Sequence, residues 1–404
     1  MLIKIANRNI LRNKRRSLIV IISIVVGISS MMIYDAFMNG MLDQQIDNQL
    51  SLSVSHIQIH NHGYSENKVL KNYIKSDKVE EALNADKNIS HWSKRVNVFG
   101  MISSAGNSSG ATIRGVQFDR EKNVTAISSK IIEGSYLTGA EREIIISKQT
   151  AEKLETELGD KIVSISATVD GKVSSELFRV CGIFQTAITE FDKMTAFVNL
   201  PDLQKMTELG DNVNEYAIIF PNTDLVLDYK AELISALDGE NTDVESYIDL
   251  LPMLVSTIEA SKMSMIAVYL IIAIGVLFGI INTMLMSVFE RINEFGVLKS
   301  IGMRPGKLFR MILLEAFTLG VLGTISGFLV GLGAIYMLSS GGIDLSNFSD
   351  GLTSVGVDSI IYPVLNFNVI ANALFIMPFA TVFGAIWPAF KAARLQPTDA
   401  MRYV

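Results

Sequence analysis

The chain has 404 residues, 49% of them hydrophobic, and a formal net charge of −6 at pH 7. Its mean hydropathy of +0.34 is higher than soluble domains usually show, and the length leaves room for one or two domains besides any membrane segments. The one cysteine, Cys181, excludes an internal disulfide framework and reads as a small core residue.

Residues 1–16 carry Lys4, Arg8, Arg12, Lys14, Arg15 and Arg16 and no acid. A first hydrophobic segment, 17–38, follows. Its apolar run Leu18–Tyr34 carries no charge, exceeds the hydrophobic stretch of a signal peptide and has no small-x-small cleavage site after it. It therefore reads as an uncleaved anchor. About 20 apolar residues cross a bilayer, and each leucine- or isoleucine-like residue favours insertion by about 0.3–0.6 kcal/mol at mid-helix.

Residues 39–261 read as a large mixed α/β extracytoplasmic domain of two lobes. Strands are expected at Glu143–Ser147, Lys161–Ser166, Glu176–Phe184, Met194–Leu200 and Glu215–Phe220, and helices at Lys148–Leu158 and Asp224–Leu237. Gly159 and Pro201 read as stops, and Asp170-Gly171 as a hairpin turn. Asn39–Leu50 and Ile248–Ser261 are expected to be helical stalks continuing the flanking spans. His56, His60 and His62 lie in SHIQIHNHG, where an extended strand puts His56 and His60 on one face. No fourth ligand is near, so a polar strand edge is preferred to a metal site.

Three more hydrophobic segments close the chain, at 262–289, 311–338 and 367–387. The loop 290–310 carries Arg291, Lys299, Arg304, Lys307 and Arg310, and the tail 388–404 carries Lys391, Arg394 and Arg402. The loop 339–366 has no Lys or Arg but contains Asp344, Asp350 and Asp358. The positive-inside rule then places both termini and the 290–310 loop in the cytoplasm and residues 39–261 outside. The expected fold is an α+β membrane protein with four transmembrane helices, arranged one plus three. The basic clusters are juxtamembrane, which argues against nucleic-acid binding.

Signs of catalysis are absent. GMRPGKL at Gly302–Leu308 is one residue short of a nucleotide-binding loop and has Leu where Ser or Thr would hold magnesium. No cofactor or metal is expected in this chain. Glu290–Gly302 (ERINEFGVLKSIG) places Ile292, Phe295, Leu298 and Ile301 on one stripe of a short helix, with Arg291, Glu294 and Lys299 off it. Gly302 and Pro305 end it. Such a helix either lies on the membrane surface or docks into a cytoplasmic partner. In the third segment Gly320, Gly323, Gly327 and Gly331 suit either helix packing within the chain or a dimer seam. Asn282, Thr283, Asn368 and Asn372 read as hydrogen-bonding between helices.

Three stretches carry a resemblance: Asn9–Ser17 (NILRNKRRS), Glu290–Lys307 (ERINEFGVLKSIGMRPGK) and Pro388–Tyr403 (PAFKAARLQPTDAMRY), with Glu315-Ala316 also fitting. With the one-plus-three layout they resemble permeases of the MacB/FtsX superfamily of ABC transporters. Gly159-Asp160-Lys161, FRVCGIF at Phe178–Phe184, Glu190–Asp192 and Ala196–Leu200 are similar to the lipoprotein-releasing LolC/LolE branch. The short hairpin Ala167–Leu177 lacks the hook by which LolC recruits a soluble carrier, which is LolE-like or marks a different branch of the family.

The resemblance implies a non-catalytic subunit in the bacterial inner membrane, paired with itself or a paralogue and with a cytoplasmic ABC ATPase dimer that binds ATP and magnesium. It implies release of lipoproteins toward a periplasmic carrier, with MacB-like efflux of drugs, peptides or other amphiphiles, or FtsX-like control of a periplasmic hydrolase, as alternatives. Coupling to the ATPase would then use Glu290, Arg291, Glu294, Phe295, Leu298, Ile301 and Gly302, with Glu294 as the contact. By analogy, lipid or substrate would enter near Ile33, Phe37, Ile266, Tyr269 and Leu270.

Overall fold

A computed structural model of the chain describes residues 12, 14–75, 77–365 and 367–394. Two compact units emerge. One takes in the described residues up to Leu42, Thr257–Asp344 and those from Ile360 onward; the other is Asp43–Ser256 with Leu345–Ser359.

The first unit is helical. Its elements draw on α1 (Lys14–Gln49), α2 (Pro252–Glu290), α3 (Ile292–Ser300), α4 (Pro305–Gly341) and α5 (Phe367–Arg394). Helices α1, α2 and α4 are long and apolar enough to cross a membrane. At 1.5 Å per residue, the 36 residues of α1 reach about 54 Å, well beyond the ~30 Å hydrocarbon layer. Helix α5 runs 28 residues with Pro378 and Pro388 inside it. A common core joins Ile24, Ile28 and Met32 of α1, Val276 and Ile280 of α2, Ile312 and Leu319 of α4, and Ala385 and Ala389 of α5.

The expected stalks hold in part. Helix α1 continues unbroken to Gln49 and ends in a π-turn, Leu50–Val54. Before α2 the chain breaks: Tyr247–Leu250 is a separate short turn, closed by a capping box between Ser246 and Asp249, and α2 starts at Pro252.

The second unit is built on one ten-stranded sheet that runs through the whole of the expected α/β domain. Its strands are β1 (Ile57–Asn61), β2 (His91–Ser103), β3 (Ser108–Val116), β4 (Ile131–Gly134), β5 (Glu143–Ser147), β6 (Lys161–Ala167), β7 (Val173–Phe184), β8 (Thr195–Asn199), β9 (Glu215–Ile219) and β10 (Thr242–Ser246). Their order is β10-β1-β9-β2-β3-β8-β5-β7-β4, with β6 joining β2 to β7. The two longest strands explain the continuity. The first half of β2 pairs β9 and its second half pairs β6, while β7 pairs β4, β5 and β6. Gly100 permits the close approach of β6, because a Cβ there would stand 2.4 Å from the Ile165 carbonyl oxygen.

Alternation along the strands sorts the two faces. Trp92, Val96 and Val98 of β2 face the main core with Ile57, Ile59, Ile113 and Tyr216. Arg95 and Asn97 point the other way, toward a polar band. Beyond that band lies a smaller core of Leu52, Val116, Ile145, Phe184 and Phe197. The segment Leu345–Ser359, expected to be a separate loop, belongs to this unit: Gln45 Nε2 donates to the Val355 carbonyl at 2.7 Å and Asn48 Nδ2 to that of Gly356 at 3.0 Å.

Candidate functional site

The loop helix α3 follows α2 after Arg291 alone and ends in a tight turn. Gly302 adopts φ +96°, and the amides of Ile301, Gly302 and Met303 return to the carbonyls of Val297, Lys299 and Leu298. Pro305 then opens α4 at its first position. Ile292 and Phe295 are buried, Phe295 within the bundle core, and Leu298 packs against that core. Ile301, expected on the same stripe, caps the helix and is 79% exposed; Val297, one turn earlier, is 47% exposed. Glu290, Asn293, Glu294, Ser300 and Gly302 also face outward. Phe295 is thus an anchor for the helix itself, and Val297 joins Ile301 on the outward face.

Charge fixes this helix to its neighbours. Arg291 is buried; its Nη1 donates to both Glu315 oxygens at 3.1 and 3.3 Å, and its Nε donates to Glu294 at 3.1 Å. Its guanidinium also lies 5.1 Å from the Phe295 ring centroid. Glu294 pairs with Arg12 as well. Lys299 donates to the Ala393 carbonyl of α5 at 2.9 Å. Glu294, the expected coupling contact, is therefore a half-exposed end of a chain of ion pairs.

The glycine stripe of α4 is occupied within the chain. A Cβ on Gly323 would meet Ile24 at 2.8 Å, on Gly327 it would meet Ile28 and Val25 at 3.1 Å, and on Gly331 Met32 at 2.9 Å. On Gly320 it would meet Thr381 of α5 at 2.2 Å. These glycines thus sit at close helix contacts within the chain. Thr283 donates to the Gly279 carbonyl of its own helix at 2.8 Å rather than across helices, and Asn282 is exposed. The side chains of Asn368 and Asn372 and the tail from residue 395 lie outside the described residues.

Among the expected entry residues, Ile266 and Leu270 are exposed on α2, while Ile33 and Phe37 are half-buried on α1. Tyr269 donates its hydroxyl to Asp35, which also accepts from Asn39 at 2.9 Å, and its ring meets Tyr34 edge-on at 6.2 Å. Asp35 stands one residue past the apolar run and is buried. An acid at the edge of a membrane segment is a functional signal in the sequence itself.

In the second unit the polar band holds a charge cluster. Arg95, with no exposure, donates to Glu121 at 2.7 Å and to Glu215 at 2.7 Å. Burial alone would lower its pKa; the two carboxylates outweigh that and hold it raised. Burial likewise pushes Glu215 up, but Arg95, Arg114 and His60 bring it below the ordinary glutamate range. Arg114 is directly opposite Asn97 in the β2–β3 ladder. Its Nε donates to Asn97 at 2.8 Å and its Nη1 to the Ser53 carbonyl at 3.1 Å. Arg95 reaches the same carbonyl at 3.4 Å. The two arginines thereby hold the π-turn that follows α1.

The three histidines do not converge. His56 Nδ1 accepts from the Phe220 amide at 3.0 Å, His60 lies between the Asn214 carbonyl and Gln58 Oε1, and His62 pairs with Asp243 at 2.8 Å. Strand β1 lies between β10 and β9, so it is not the polar edge expected of it. Among the described residues no His, Cys, Asp or Glu cluster suits a metal. Cys181 is half-buried, and burial pushes its pKa to about 12, far from a reactive thiolate.

These features define a membrane protein whose first two long apolar helices flank a large α/β domain and whose second and third are joined by a pinned surface helix. Comparison with known families agrees. The profile for the MacB-like periplasmic core domain matches residues 17–236, and that for the FtsX-like permease C-terminal matches residues 266–397. The chain belongs to the MacB/FtsX family of ABC transporter permeases. It is 26% identical over 310 residues to the lipoprotein-releasing system transmembrane protein LolC of Xylella fastidiosa, covering 72% of this chain and 73% of that one. It is 25% identical to the ABC transporter permease YknZ of Bacillus subtilis, covering 99% and 98%. It is 23% identical to the macrolide export ATP-binding/permease protein MacB of Acinetobacter baylyi, covering 96% of this chain and 57% of that one.

Proposed function

We propose that this chain is the membrane subunit of an ATP-driven transporter that releases lipoproteins from the inner membrane toward a periplasmic carrier. Four segments cross the membrane in this reading, α5 being the fourth. Both termini and the loop helix lie in the cytoplasm, and the sheet domain is periplasmic. A separate ATPase dimer closes on ATP with magnesium and pushes on α3. A second permease, identical or paralogous, completes the assembly. The observation that carries the reading is α3 itself. One face is buried through Ile292 and Phe295 and tied down by Arg291, while the other offers Val297 and Ile301 beside Glu294. A helix fixed on one side and apolar on the other suits the transmission of a push from a docked partner.

LolC similarity favours lipoproteins as cargo. The turn between β6 and β7 is tight, with the Thr168 amide bonded to the Lys172 carbonyl at 2.7 Å, and this leaves no hook for a carrier on this subunit. Efflux of a drug or peptide is the second reading, favoured by the MacB-like core domain that covers residues 17–236. The test is purification in detergent with the co-expressed ATPase, followed by mass spectrometry. Co-purified lipoprotein supports release, whereas a bound drug without lipoprotein supports efflux. Glu294→Lys should uncouple ATP hydrolysis from transport while the protein stays folded; normal transport by that variant would refute docking through this helix.

A further inference from the structure

A cleft of about 500 Å³ opens on the polar face of the outer sheet. Its floor crosses six adjacent strands from β10 to β8 and carries Arg114, His60, Asn97 and Thr112; Tyr64 and Phe191 stand among its walls. The volume is in the range of small-molecule sites. Its charges are unevenly satisfied. Glu215 is paired with Arg95, Asp249 with Lys230 at 2.8 Å, and Glu245 accepts from Ser65. Arg114 is only 9% exposed, yet among the described residues no carboxylate pairs with it. Both its acceptors, Asn97 Oδ1 and the Ser53 carbonyl, are neutral. A guanidinium has five N–H donors, so three remain. Lys68, on the same cleft, is likewise without an acidic partner among the described residues. Glu215 and Glu121 act on Arg114 only across a distance, without a direct bond, and a ligand carboxylate meets a guanidinium fork with two parallel bonds.

We propose that this cleft binds a small monocarboxylate with a flat or apolar body, held by Arg114 and steered by Lys68. Glu215 and Glu245 stand in the same cleft and would repel a second negative charge, so a dianion fits less well. The aromatic walls receive the body of the ligand. No part of the proposed transport function requires this site, and the two stand or fall separately.

The experiment uses the full chain in detergent at constant ionic strength, with sodium benzoate, neutral benzamide and sodium phosphate as probes. Thermal midpoints and calorimetric titration are read for the wild type, Arg114→Met, Arg114→Lys and Lys68→Ala. Benzoate should bind saturably and raise the midpoint, and benzamide and phosphate should not. Arg114→Met loses the bonds to Asn97 and Ser53, so its midpoint without ligand should fall, and it should weaken benzoate at least tenfold. Lys68→Ala should weaken it a few-fold. Absence of benzoate binding to the wild type overturns the proposal. So does equal binding of phosphate or benzamide, or unchanged benzoate affinity in Arg114→Met. If Arg114→Met does not fold, Arg114→Lys decides: it keeps the charge and loses the fork, and wild-type affinity in it also overturns the proposal.

Discussion

Arg291 in the helical unit and Arg95 in the sheet unit both bury a guanidinium between two carboxylates, but they assemble the pair differently. Arg291 finds Glu294 three residues on and Glu315 across one helical turnaround. Arg95 finds Glu121 and Glu215, the latter through its direct cross-strand pairing with β9. The first cluster is local and keeps one end, Glu294, half in solvent. The second is long-range and almost wholly buried. A closed cluster serves as an anchor, whereas an open one leaves a charge where a partner can reach it.

The largest effect belongs to Glu121→Ala, which leaves Arg95 buried and half-paired. It should cost about 3–5 kcal/mol in chemical denaturation followed by Trp92 fluorescence, and a loss below about 1 kcal/mol would show that the outer cluster is not an anchor. Glu315→Gln should cost less, about 1.5–3 kcal/mol, because Glu294 remains to pair with Arg291; a thermal unfolding series in detergent reads this.

Acid sharpens the contrast. The pKa of Glu215 is depressed in the fold, so its contribution is fully present above the unfolded value of about 4.3 and is lost as pH falls through the folded value beneath it. Unfolding midpoints between pH 6 and 3 should therefore drop steeply at the acid end, and Glu215→Gln should show a lower plateau and a shallower drop. The smallest effect is expected for Glu294→Gln. Glu294 itself is half in solvent and Arg291 keeps Glu315, so the loss should stay under about 1 kcal/mol, and a large one would erase the distinction between open and closed clusters.

Legibility in the sequence followed contact range. The segments 17–38, 262–289 and 311–338 were readable because a membrane helix declares itself through length and apolarity alone. The β6–β7 hairpin was readable from Asp170-Gly171, and β5, β8 and β9 from short β-branched runs. The helix expected at Lys148–Leu158 stops at Leu154, where Glu155 takes φ +52°, four residues before the glycine that seemed the natural stop. Strands β2 and β3 were missed, since Lys94, Arg95 and Arg114 break the apolar alternation. Those charges are the very residues that build the cluster. On α3 the three-residue stripe selected Phe295 correctly as apolar but placed Ile301 with it, because the helix ends before completing that turn.

By itself the sequence determined three long apolar segments, the charge asymmetry of the stretches between them and the short helix in a basic loop between two of them. All three depend on composition over windows of one to twenty residues. Tertiary structure alone decided that ten strands form one sheet, that the glycines of α4 are filled by α1 and α5, and that Arg95 is paired while Arg114 is not. Those outcomes depend on which distant residues a strand register or a helix crossing brings within a few ångströms, and nothing local encodes that distance.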